Sequence, residues 1–305
     1  MKKIIVMVLL FTSKFILACD YNLDVPPLVY TLTGNPVIIP KTLELERDDN
    51  SGPCAQYFLG FTRGWAPNYN RYATNLSNGN KIYYNLYKNA GGTQILKNPS
   101  DITSDNEVLM GHIGKDQELD LTYYFSVSPY TSSNLPRAGT YVDYVQVQAY
   151  SGKWWSINSY EGYKNIAVQI IVPKLSAISL VDTGASFDPS DTYQVMDFGE
   201  LEQNEQMSFD LMVVSNAGYN VTFSSNNLGV LKNTTVMTGN NTIQYELYVN
   251  NSLRNLSAPS VVATGSGTTP SSGNRIPVRV KIKNVDNKEP GTYTDYITIT
   301  TTTTE

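Results

Sequence analysis

Along most of this chain apolar residues alternate singly with polar ones, in short runs broken by Gly, Pro, Asn and Ser. The clearest run is Gly139-Thr140-Tyr141-Val142-Asp143-Tyr144-Val145-Gln146-Val147. It returns as Gly291-Thr292-Tyr293-Thr294-Asp295-Tyr296-Ile297-Thr298-Ile299. A turn glycine, a Thr-Tyr pair and then Val or Ile at every second position is the pattern of a half-buried β-strand. The two copies have different downstream neighbours. Beyond the first, Ile166, Val168, Ile170 and Val172 alternate again before Pro173, whereas beyond the second stand only threonines and Glu305.

Further strands are predicted over 55–62, over 81–87 after the turn signal Asn78-Gly79, and over 119–127. Residues 63–80 and 151–164 read as irregular or loop-like. From Lys174 the order starts again, with strands over 175–181, 207–214, 219–223 and 242–248. The last of these aligns with 81–87, placing Ile243 on Ile82 and Tyr245 on Tyr84. Val278, Val280 and Ile282 then alternate with Arg279, Lys281 and Lys283, a strand with a basic outer face. Two strand motifs therefore recur in the same order. The fold expected is all-β, two tandem immunoglobulin-like or pilin-like β-sandwiches over 19–173 and 174–305, the second lacking its final strand. Tyr141 and Tyr293 are expected to tie down loops at equivalent posts.

Composition adds a compartment. A positive start at Lys2 and Lys3, followed by a short apolar run that Lys14 interrupts, reads as a signal peptide over 1–18. Low charge and abundant Tyr, Thr and Asn suit an extracellular protein, and a net charge of -5 gives no reason to expect nucleic acid as a partner. Of the two cysteines, Cys19 would come directly after the signal. Its pairing with Cys54 in a disulfide is one reading, contributing roughly 3–4 kcal/mol on the chain-entropy model. A lipid anchor at Cys19 is the other, since Ile16-Leu17-Ala18-Cys19 also looks like a lipoprotein box.

The motifs resemble the spore coat U domain, the pilin-like module of archaic chaperone-usher pili. The resemblance is carried by Val213-Val214-Ser215-Asn216 with Tyr219, by Ser224-Ser225-Asn226-Asn227-Leu228-Gly229, by Ile243-Gln244-Tyr245-Glu246-Leu247-Tyr248, and by the closing Gly291-Thr292-Tyr293-Thr294-Asp295-Tyr296. In the first domain it rests chiefly on 82–87 and 139–147. It implies modules that lack their last strand and receive it from the next subunit, after a periplasmic chaperone has held the groove and the end near Glu305 and an outer-membrane usher has exported the chain. The expected groove residues are Val278, Val280, Ile282, Ile297 and Ile299. A self-completed first domain followed by an open second one is the arrangement such a family implies for a pilus tip.

The residues suggest binding and no reaction. His112 is the single histidine, so neither a Cys/His metal set nor a Ser-His-Asp constellation is available, and no cofactor is expected. Asp120, Asp143, Glu200 and Glu202 are scattered and read as solvated strand faces and turns, although a sandwich glycosidase could use two such groups. All three tryptophans fall in the first domain. Trp65, Tyr69, Trp154, Trp155 and Tyr160 are assigned to loops at one end of the sandwich, as an adhesive surface for an unspecified surface, protein or glycan. Tryptophans that cap the core beneath a loop are the plainer alternative. The function expected is a fimbrial tip adhesin; the alternative is a minor structural pilin or spore-coat-like component without receptor binding.

Overall fold

The computed structural model describes residues 19–35, 37–48, 54–130 and 135–304; the predicted signal at 1–18 and Glu305 lie outside these. The chain folds as two compact units, one built on 35–129 and 141–170 with the segment up to Tyr30, the other on 171–305 with 31–34 and 130–140. Among the described residues the only helical turns are Pro99–Asp101 and Asp105–Glu107.

The first unit contains β1 (Tyr21–Asp24), β2 (Leu28–Thr31), β3 (Val37–Arg47), β4 (Gln56–Phe61), β5 (Tyr72–Thr74), β6 (Lys81–Tyr87), β7 (Leu109–His112), β8 (Gln117–Val127), β9 (Gly139–Lys153) and β10 (Ser156–Val172). They form one curled sheet in the order β1-β3-β8-β6-β5-β9-β10-β2, with β4 joined to β9 and β7. Alternation gives this sheet its inner face, because each strand turns one set of residues inward. Leu43 and Leu45 of β3, Tyr123 and Phe125 of β8, and Val145 and Val147 of β9 are all buried. So are Ile166, Val168, Ile170 and Val172 of β10, which lies paired between β9 and β2.

The amino-terminal segment is held twice. Cys19 and Cys54 are joined in a disulfide with 5.6 Å between their Cα atoms, and β1 pairs with β3 from Tyr21↔Arg47 to Asp24↔Glu44. The Tyr21 hydroxyl adds a hydrogen bond to the Cys54 carbonyl at 2.5 Å.

One segment departs from expectation. Residues 151–164 are not a loop: β9 runs on to Lys153, Trp154 and Trp155 make the turn, and β10 starts at Ser156. Trp154 at the turn packs on Phe58, but the β10 half of the hairpin, with exposed Ile157 and Tyr160, has no buried residue over 156–165 and alternates against no core. Without a buried face the hydrophobic signature of a strand is missing.

The second unit contains β11 (Ser176–Val181), β12 (Gln206–Ser215), β13 (Tyr219–Ser225), β14 (Val230–Asn233), β15 (Thr242–Val249), β16 (Ser252–Arg254), β17 (Ser260–Gly265), β18 (Asn274–Ile282), β19 (Tyr293–Thr294) and β20 (Ile297–Thr303). One sheet has the order β11-β12-β18-β15-β14-β19 and the other β17-β13-β20. Between them lies a core of Leu211, Val213, Val221, Phe223, Leu247 and Val278, among others.

The repeat reaches down to register. Tyr57, Leu59 and Phe61 of β4 face Ser151, Ala149 and Val147 of β9. Tyr219, Val221 and Phe223 of β13 face Thr303, Thr301 and Ile299 of β20 in the same way. Both copies of the key strand also change pairing partner at their aspartate. Val142 pairs with Thr74 of β5 before β9 joins β4, and Thr294 pairs with Lys232 of β14 before β20 joins β13.

Candidate functional site

Asp143 and Asp295 sit where the key strand exchanges one partner strand for another. The Tyr84 hydroxyl donates to Asp143 Oδ2 at 2.6 Å, and the Trp65 and Tyr144 amides donate to Oδ1 at 3.0 and 2.8 Å. In the second unit the Tyr245 hydroxyl donates to Asp295 Oδ2 at 2.7 Å, and the Asn227 and Tyr296 amides to Oδ1 at 3.1 and 2.8 Å. The alignment of Tyr84 with Tyr245 thus has an atomic cause, since both anchor the repeated aspartate. Asp143 is 0 % exposed, so it is no solvated strand residue. A side chain with four acceptor sites satisfies a loop amide, the adjoining amide and a buried phenol at once.

Burial pushes the Asp143 carboxyl above its ordinary value, against the pull of these hydrogen bonds and of the Arg71 charge. The Tyr84 phenol is raised well above the usual range by burial and by the neighbouring carboxylate. Arg71, also fully buried, is lowered to about 10 by desolvation and donates to the carbonyls of Thr62 and Leu96. Gly64 adopts φ 63° beside this node, and a Cβ there would collide with the Asp143 carboxylate. The two key tyrosines have structural posts: Tyr141 is fully buried, and the Tyr293 hydroxyl donates to the Glu289 carbonyl at 2.7 Å.

Beyond the two nodes the units diverge. In the first, β9 is paired on one side with β4 and on the other with β10. In the second, β20 pairs with β13 alone, and its other edge has no partner among the described residues. β11 lies against β20 in space without pairing to it. Val145 and Val147 are fully buried, whereas their counterparts Ile297 and Ile299 are only half-buried, although they pack on the core. Val278, Val280 and Ile282 lie on a different strand, Val278 and Val280 in the core that Ile297 and Ile299 pack against. β18 is paired on both sides, with β12 and β15, and its inward residues are buried, so they form the floor of the core and offer no edge.

The aromatic residues do not form one cluster. The Trp65 amide is bound at Asp143, near the start of β9, while Trp154 and Trp155 come just after its end at Lys153. Those points are ten residues apart, roughly 33 Å along an extended strand. The strand pairing over 151–164 causes the separation, because it extends β9 past the sheet position of Trp65 and sets the Trp-Trp turn at its far end. Trp65 is 45 % exposed and packs on Tyr144 with ring centroids 5.8 Å apart. Trp155 is 54 % exposed, with the Lys153 ammonium 5.2 Å from its ring. Tyr160 is exposed near Tyr150 at 5.2 Å.

Trp154 is half-buried against Phe58, Ile102 and Val108, and its indole N–H donates to Asp105 at 2.7 Å. Tyr69 is also built into the fold. Its hydroxyl donates to Asp101 and accepts from the Asn98 amide, both at 2.7 Å, and the Arg63 and Arg71 guanidinium groups stack on its ring. Tyr144 and Ile157 extend the exposed apolar surface without standing out in the sequence; the equivalence of Tyr144 with Tyr296 is the one signal there that points to them. Among the described residues no group of His, Cys, Asp or Glu is placed to hold a metal. Asp120, Glu200 and Glu202 are exposed.

These features define a protein of two sandwich units, each organised by the same Tyr–Asp node, with one key strand covered and the other open. The spore coat protein U domain matches residues 53–148 and 194–300, more than half of the chain, and the chain belongs to that family. No curated protein matches. Among solved structures, the CsuC–CsuE chaperone–tip adhesion subunit pre-assembly complex of archaic chaperone-usher Csu pili from Acinetobacter baumannii is similar at 14% identity and a TM-score of 0.43, covering 92% of this chain and 99% of that one. The CupB6 tip adhesin of Pseudomonas aeruginosa is similar at 11% identity and a TM-score of 0.41, covering 92% and 95%. CfaE, the adhesive subunit of CFA/I fimbria of enterotoxigenic Escherichia coli, is similar at 12% identity and a TM-score of 0.37, covering 92% and 93%. These are loose likenesses of fold.

Proposed function

We propose that this protein is the tip adhesin of an archaic chaperone-usher pilus, its first unit making contact and its second accepting a strand from the next subunit. The observation that carries this reading is the contrast between the two key strands. β9 is covered by β10, while the equivalent edge of β20 stands open over half-buried Ile297 and Ile299. An exposed edge above a core invites strand addition, in which the backbone of the incoming segment pairs and its alternate side chains fill the groove. A periplasmic chaperone would hold that edge before assembly, and an outer-membrane usher would exchange it for the next subunit.

Placement at the tip is supported by the amino-terminal segment. Cys19–Asp24 is locked by the disulfide and by pairing with β3, so it is not a free strand for donation to another subunit. Strand acceptance is tested by purifying the full chain with and without a completing strand. The expected result is aggregation or chaperone dependence alone and a soluble monomer with the strand. A stable, soluble monomer without it sinks the reading.

Adhesion is assigned to the exposed aromatics, in two places: Trp65 with Tyr144, and Trp155 with Ile157 and Tyr160. Large rings at the surface offer contact area at small entropic cost. Trp154 and Tyr69 favour the other reading at their own positions, since both are tied into the scaffold. Trp65→Ala and Trp155→Ala are expected to lower attachment at least about fivefold while fibres assemble normally, a loss of about 1 kcal/mol or more. Unchanged attachment by both variants would favour a structural pilin without its own receptor.

A further inference from the structure

The inward face of β20 changes character along its length. Ile297 and Ile299 are succeeded at the same period by Thr301 and Thr303, so one half of the open edge is aliphatic and the other is hydroxyl-lined. The Thr301 hydroxyl is buried and has no hydrogen-bond partner among the described residues. A buried hydroxyl without a partner has lost its water and gained nothing in return, and that cost would persist beneath a wholly aliphatic strand.

The first unit shows how its own chain treats this place. By the register with β4 and β13, Ser151 occupies on β9 the position that Thr303 occupies on β20. Ser151 is 1 % exposed, and its Oγ lies 2.9 Å from the Oγ of Ser159 in β10, the strand that covers β9. Ser159 in turn donates to Glu161 on the same strand. Where the key strand turns polar, the covering strand therefore brings a hydroxyl of its own.

We propose that the strand accepted by β20 carries a Ser or Thr side chain facing Thr301 and Thr303, and branched aliphatic side chains facing Ile297 and Ile299. This rests on the reading of β20 as a strand acceptor and adds which strands it selects. The mixed pattern also fixes register. A one-residue slip turns every side chain to the opposite face, and a two-residue slip lays an aliphatic group over an unpaired hydroxyl.

The test uses the full chain refolded with labelled peptides. One peptide has Val and Ile at all inward positions. The others carry a single Ser, moved through those positions one at a time. For the wild-type chain the best Ser peptide is expected to bind about tenfold more tightly than the aliphatic one, the difference that one satisfied hydroxyl makes. Thr301→Val and Thr301→Ala are expected to abolish or reverse that order; Ala is the residue found at this place in the first unit, Ala149, so at least one variant is compatible with the fold. Equal or weaker binding of every Ser peptide to the wild type overturns the proposal, as does an order unchanged by both variants. Binding of no peptide at all instead overturns strand acceptance itself, which separates the two failures.

Discussion

Replacing Asp143 by Ala is expected to destabilise the first unit by about 3–5 kcal/mol, because it strands one buried phenol and two amides with no water to take its place. The same change at Asp295 is expected to cost only about 1–2 kcal/mol, since Asp295 is half-buried and solvent replaces part of what is lost. A two-unit chain does not unfold as one transition, so the comparison is best read locally. Amide exchange at Trp65 and Tyr144 should accelerate in Asp143→Ala, and at Asn227 and Tyr296 to a smaller degree in Asp295→Ala. Equal and small effects in both units would mean that the nodes do not organise the fold.

A pH dependence accompanies this. The Asp143 carboxyl is raised in the folded protein above its ordinary value of 3.8, chiefly by burial. A raised acid contributes stability that is full below the unfolded value and is lost as pH rises through the folded one. Relative to Asp143→Asn, which has no proton to lose there, the wild type should therefore weaken as pH rises from about 4. A difference that is flat across this range would show that the hydrogen bonds to Asp143 offset its burial completely.

Ile299→Asp is expected to remove the chain from assembled fibres while leaving the first unit folded. Ile299 faces inward on β20, and a carboxylate there must either stay solvated, which keeps the groove open, or be buried at a cost of several kcal/mol. Binding of any completing strand should fall at least about a hundredfold. Thr298→Asp, one residue away on the exposed face, is the matched control and should assemble. Fibre incorporation of both variants alike would mean that β20 is not the joining edge.

The repeat is legible in the sequence because each of its elements is local. Gly139 and Gly291, the alternating Val and Ile after them, and the strand containing Tyr84 or Tyr245 all announce themselves by spacing. The cysteines are legible only as a choice. The sequence allows a disulfide or a lipid anchor at Cys19, and the fold brings Cys54 within bonding distance. Asp143 reads as solvated because an aspartate in a polar stretch looks the same whether it faces water or closes a buried network. The aromatic surface is misplaced by sequence for a related reason. The β10 half of the hairpin, residues 156–165, has no buried residue to alternate with exposed ones, so the pairing is invisible in the sequence and the Trp-Trp turn reads as a loop at the wrong end.

The groove residues divide along the same line. Periodicity marks Val278, Val280 and Ile282 and also Ile297 and Ile299 as inward-facing, and all of them are. Which strand has a free edge depends on partners distant in sequence, and only the tertiary structure decides it: β18 lies between β12 and β15, and β20 has β13 on one side alone. The sequence by itself determined the class of fold, the duplication and the inward face of each strand, because alternation and turn chemistry act over a few residues. The tertiary structure decided which faces are covered, where the tryptophans stand and what the repeated aspartates hold, because burial and hydrogen bonding are settled by whatever the rest of the chain brings alongside.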